Sequence, residues 1–165
     1  MAKSLRQQRH KARILAMQAL FQLDARHDDK VDAAELNAFK WIDYPVPEEE
    51  QEFARRIISL TIENLSAIDA LITERLVNWE FSRISPVSRA ILRTGVAQLL
   101  YLKDEADAAV VIDESILLAK QYDAAETTGF INGLMDDIRR GDRSENAAAK
   151  NRPKLAEKIK IRKKK

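Results

Sequence analysis

Five cations stand in the first thirteen residues, and their spacing is the first feature of this chain that suggests chemistry. Lys3, Arg6, Arg9, Lys11 and Arg13 occur there with no acid among them. Arg6, Arg9 and Arg13 are three and four residues apart, so on a helix they share a face. Like charges so placed repel by about a few tenths of a kcal/mol, a cost that a phosphate chain relieves. The chemistry on offer is recognition of a polyanion, not bond making. A second cationic run lies in residues 152–165, where eight Lys or Arg stand against Glu157 alone. The two runs carry +5 and +7 in a chain of net charge +2, so residues 14–151 total −10. An acidic body with two basic ends implies a polyanion gripped from those ends. The bland alternative is a solvated N-terminus and a solubilising tail.

Groups suited to catalysis are sparse. His10 and His27 are seventeen residues apart, and there is no cysteine for a disulfide or a thiolate metal site. The adjacent acids Asp28-Asp29 and Asp136-Asp137 read as helix termini or joints, because neighbours on a helix point in different directions. No Gly-rich nucleotide cradle occurs. The chain is therefore expected to be no enzyme, with no cofactor and no bound metal. No apolar run approaches the ~20 residues that span a bilayer, and no signal-peptide core is seen, so a cytoplasmic location is expected.

The elements that must position the cations read as helices throughout. Residues 4–24 form a first helix with Leu15, Ala19 and Leu23 on one line and Ile14, Met17 and Phe21 on the next. A short helix is expected over Val31–Ile42, with Leu36 and Phe39 inward, ended by Tyr44-Pro45-Val46-Pro47. Glu48, Glu49 and Glu50 favour the start of a long helix that carries Phe53, Ile57, Leu60, Leu65, Ile68 and Ile72, with a break near Asn64–Ser66 allowed. Ser85 can cap the next helix with Pro86 in its first turn. Its apolar girth makes it central. Val111, Ile112, Ser115, Ile116 and Ala119 form one stripe of the following helix. A last helix starts near Thr127 or Thr128 and places Phe130, Ile131, Leu134 and Ile138 inward. Gly129 and Gly133 are expected to allow close approach of a neighbour. The fold class is all-α, a compact bundle of about six or seven helices. Residues 1–141 form the domain and 142–165 a basic tail that has too few large apolar residues to build a core.

The same stretches carry a resemblance. P-V-S-R-A-I-L-R, V-I-D-E-S-I-L-L-A-K and G-F-I-N-G-L-M-D, with A-R-I-L-A-M-Q-A-L-F-Q near the start, resemble the NusB family of bacterial transcription antitermination factors. The match runs in order over most of residues 6–139 and leaves out 28–50. It implies two small helical subdomains side by side. It also implies binding of the boxA element in ribosomal RNA operon leaders together with NusE, the tenth protein of the small ribosomal subunit. The complex would join RNA polymerase with other Nus factors and suppress premature termination.

By the same resemblance, Arg9 and Arg13 match the RNA-holding basic positions best, with Arg6 and Lys11 near them. Tyr122 could stack on a base, Glu126 takes an acidic position that tunes the RNA surface, and Phe21 faces the protein partner. Ser88 replaces an acid at a partner contact. Gln98 replaces a frequent Glu, Asp107 a common Pro, and Asp113 the usual Asn. A non-catalytic helical RNA-binding adaptor in ribosomal RNA biogenesis is the alternative function. A NusB-like domain also precedes some ribosomal RNA cytosine methyltransferases, but this chain has no Gly-rich cofactor motif. Monomer and homodimer both remain open for the free protein.

Overall fold

The computed structural model describes residues 3–26, 32–77 and 79–147, with side chains to residue 141. Seven α-helices follow one another, with no strand among the described residues. They are α1 Leu5–Arg26, α2 Ala33–Leu36, α3 Glu48–Glu63, α4 Leu65–Arg75, α5 Pro86–Tyr101, α6 Ala108–Tyr122 and α7 Thr127–Ala147. A 3-10 turn, Phe81–Arg83, precedes α5.

Local signals explain the starts. Ser4 and Gln7 cap α1 reciprocally: the Ser4 hydroxyl accepts from the Gln7 N–H at 3.2 Å, and the Gln7 side chain accepts from the Ser4 N–H at 2.9 Å. Ser85 accepts from the Ser88 N–H at 3.0 Å, with Pro86 in the first turn of α5. Asp107, the departure from proline, caps α6 by accepting from the Ala109 N–H. The expected break between α3 and α4 is real and falls at Asn64, whose side-chain amide donates to the Leu60 carbonyl at 2.8 Å.

Helix α5 is central. It packs on α1, α3, α4, α6 and α7, and every residue from Ala90 to Leu99 is buried. All seven helices contribute to one apolar core around it. Each fully buried Leu or Ile in that core contributes about 1.5–3 kcal/mol. An ion-pair cluster ties three helices together: Arg93 on α5 donates to Asp69 on α4 at 2.8 and 2.9 Å and to Asp24 on α1 at 3.0 Å. Arg89 adds a bond to Asp24 at 2.9 Å, and the Phe81 ring lies under both guanidinium groups. Burial opposes the Arg93 charge, but Asp69 and Asp24 outweigh it and raise the guanidinium above its ordinary value.

Several expectations need correction. The helix expected over 31–42 is only Ala33–Leu36 within the described residues, although Leu36 and Phe39 are buried as expected. Phe39 has a φ of 51°, so no regular helix can run through it to residue 42. Phe130 is exposed, and the inner stripe of α7 is Ile131, Leu134, Met135 and Ile138. Gly129 and Gly133 face open space, so close packing does not explain them. A close approach in the core is at Gly95, where a Cβ would strike Met135 of α7 and lie 2.9 Å from the Ser115 hydroxyl of α6. Helix α7 runs on to Ala147. Residues 148–165, most of the basic tail, lie outside the described residues, as does His27.

Candidate nucleic-acid interface

The cations of α1 do not form one exposed face. Arg13 is 2 % exposed, because residues 12–17 all turn into the core. Its Nε donates to the Gln98 side chain at 2.7 Å, and its guanidinium lies 5.5 Å from the centre of the Phe53 ring. Burial pushes this guanidinium down to about 10; Glu114 opposes that shift and Arg9 adds to it. It stays charged at neutral pH. Arg13 is thus a brace between α1 and α5, and the assignment of it as an RNA contact is corrected: no phosphate can reach a group so enclosed. Gln98, where the resembled family often has Glu, is the neutral acceptor for this brace, and its amide donates to the Thr94 carbonyl at 3.0 Å.

Arg9 is half-buried. Its Nη1 donates to the Glu105 carbonyl at 2.6 Å, its guanidinium sits 4.8 Å from the Phe53 centroid, and it lines a shallow depression with Phe53 and Arg56. Arg56 pairs with the Glu105 carboxylate and holds it below the usual carboxylate range. Arg6 is well exposed, with its Nε 3.8 Å from the buried carboxylate of Glu114. The same carboxylate lies 2.5 Å from His10 Nδ1. Glu114 of α6 therefore gathers the Arg6 and His10 side chains of α1 around one buried charge.

Lys11 and Tyr122 come together. Both line an open groove of about 300 Å³ that also takes in Lys3, Gln18, Tyr44 and Glu50. Lys11 is exposed and Tyr122 is 39 % exposed. Lys3 donates to the buried carboxylate of Glu50 at 2.8 Å, which neutralises the acid beneath the groove. Glu126 is exposed in the turn before α7, a short way along the chain from Tyr122. Phe21 is 38 % exposed on the later part of α1, away from the basic residues that begin the helix.

Ser88 is 2 % exposed and serves the fold. Its hydroxyl donates to the Asp123 carboxylate, which also accepts from the Ser85 hydroxyl at 3.1 Å, so the start of α5 is tied to the end of α6. Its assignment as a partner contact is corrected for that reason. From the chain alone, Tyr44-Pro45-Val46-Pro47 reads only as a helix terminator, Lys3 only as one of a basic run, and Glu114 is not singled out. A lone aromatic ahead of X-Pro pairs was the one available signal.

Among the described residues no group of three or more His, Asp or Glu converges as a metal site. No described helix is long and apolar enough to cross a membrane.

Seven packed helices with an open groove of lysines and tyrosines are the build of a binding module. The chain matches the NusB family over residues 10–140. The transcription antitermination protein NusB of Leptospira biflexa serovar Patoc is 39 % identical over 128 residues, covering 78 % of this chain and 89 % of that one. Among solved structures, T. maritima NusB superposes with a TM-score of 0.72 at 34 % identity, over 85 % of this chain and 93 % of that one. A structure of antitermination factors NusB and NusE in complex with dsRNA gives 0.68 at 26 % identity, over 82 % and 98 %. The chain belongs to the NusB family of transcription antitermination factors.

Proposed function

We propose that this protein binds the boxA RNA of ribosomal RNA operon leaders together with NusE, and with RNA polymerase and other Nus factors suppresses premature termination. The observation that carries the reading is the fold match to a NusB in complex with NusE and dsRNA, over 82 % of this chain. Arg6, Arg9 and Lys11 on α1 supply charge, Tyr122 supplies a ring for a base, and Glu126 borders the strand. Phe21 is the aromatic that meets NusE. The protein works in the cytoplasm, where nascent transcripts are. Residues 1–141 are the recognition domain, and 142–165 add phosphate attraction without register.

Titration of labelled boxA RNA and of a scrambled control, with and without NusE, tests the reading. Preference for boxA that strengthens markedly when NusE is added is the expected result. Equal binding of both RNAs in the presence of NusE sinks it. Phe21→Ala should weaken NusE association at an unchanged melting temperature; unaltered association removes Phe21 from the partner surface.

A further inference from the structure

The groove has a wall to which no role is yet attached, the segment Tyr44-Pro45-Val46-Pro47 that faces Lys11, Gln18 and Tyr122. We propose that this wall is a base-stacking platform: one unpaired nucleotide of the bound strand lodges in the groove, its base on the Tyr44 ring and its phosphate at Lys11. The inference rests on the RNA-binding reading above and extends it to a residue on a different element.

Four observations point this way. Tyr44 is 62 % exposed, so its ring contributes little to the core and is available to a ligand. It is nevertheless held on a stiff segment. Pro45 and Pro47 fix two φ angles, and a residue before proline is confined to extended backbone. Gln51 donates its side-chain amide to the Val46 carbonyl at 2.7 Å, and the Pro47 carbonyl accepts from the N–H groups of Glu50 and Gln51, each at 3.1 Å. A ring presented so rigidly loses little freedom when a ligand arrives.

The groove also has the right electrostatics and size. Its one buried acid, Glu50, would repel a phosphate, but the Lys3 ammonium 2.8 Å away cancels that charge. Lys11 is then left as an exposed cation, without an acid beside it in the groove, lining the same groove as Tyr44. The groove's volume of about 300 Å³ is on the scale of one nucleotide. Single-stranded RNA is recognised by this combination of a splayed base, an aromatic face and a cation on the backbone.

The experiment uses the full chain with NusE and boxA RNA, comparing Tyr44→Ala, Tyr44→Phe and the unchanged protein at several salt concentrations. Tyr44→Ala should weaken binding roughly 5- to 100-fold, the range for loss of one stacked base. Tyr44→Phe should stay within about twofold, because the ring is kept. The salt slope should be unchanged in both, since no phosphate contact is lost. 2-Aminopurine placed along the RNA should be quenched at one position by the unchanged protein and not by Tyr44→Ala. If Tyr44→Ala binds boxA as well as the unchanged protein does, the platform is wrong and the RNA reading stands. If Tyr44→Phe loses as much as Tyr44→Ala, the hydroxyl and not the ring makes the contact, and stacking is wrong. If the unchanged protein shows no preference for boxA, both readings fail.

Discussion

At the scale of single residues, two cations two positions apart on α1 have opposite fates. Lys11 stands in solvent on the groove, while Arg13 is enclosed between Phe53 and Gln98. Their replacement should therefore separate binding from stability. Lys11→Ala should weaken boxA binding and flatten its salt dependence, with the melting temperature within about a degree of the unchanged protein. Arg13→Ala should cost about 3–5 kcal/mol, because the Gln98 oxygen loses its donor and Glu114 loses a nearby compensating charge. Urea unfolding followed by circular dichroism measures the difference. An Arg13→Ala protein as stable as the original, yet defective in RNA binding, would return Arg13 to the recognition surface. Residue type was misleading here. An arginine in a basic N-terminal run reads as surface, but its neighbours Ala12 and Ile14 are both buried, and a long side chain can follow them inward with its charge intact.

At the scale of elements, what could be read from the chain was the periodic part. The cap and first turn of α5, its central place, and most of the stripe of α6 follow from local rules, and the structure has them, with Ile116 only partly buried and Glu114 and Leu118 buried beside the stripe. What could not be read was rotation about a helix axis. In α7 the apolar positions 130, 131, 134, 135 and 138 have the same spacing as the stripe of α6, yet packing buries Met135 at one edge and leaves Phe130 exposed at the other. The glycines fail for the same reason, since closeness is a property of the neighbour and not of the glycine. Their substitutions should have opposite signs. Gly95→Val forces bulk against Met135 and Ser115 and should destabilise by about 1–3 kcal/mol. Gly133→Ala meets nothing and should stabilise by about 0.5–1 kcal/mol through helix propensity and a less free unfolded chain. Shifts of denaturation midpoint in the same direction for both would contradict this placement of α7 against α5. The candidate groove lay further from view, since it joins Lys3, Tyr44 and Tyr122 from three parts of the chain that no spacing rule connects.

At the scale of the whole molecule, charge is divided between an acidic middle, residues 14–151, and two basic ends. Fixed contacts set register, whereas a run of cations attracts any phosphate chain. Deleting residues 150–165 should accordingly lower affinity for boxA and for scrambled RNA by similar factors. It should also reduce the slope of log affinity against log salt, leaving the preference between the two RNAs nearly intact. Paired titrations at two salt concentrations measure all three quantities. Loss of preference on this deletion would place recognition in the tail and not on α1 and its groove.

The central position of α5 also has a consequence for synthesis on the ribosome. Helix α1 buries residues 12–17 against partners that include α5, and about 60 residues separate the end of one helix from the start of the other. At about 5–20 residues per second, translation leaves the apolar side of α1 without its second partner for several seconds. Helix α3 is the earlier cover, since it emerges first and packs on α1. Nascent chains arrested with α3 outside the exit tunnel but α5 still inside should hold α1 in a protease-sensitive state. Release of α5 should convert it abruptly to a resistant one. A chain already resistant before α5 emerges would show that α1 and α3 suffice as a folding unit.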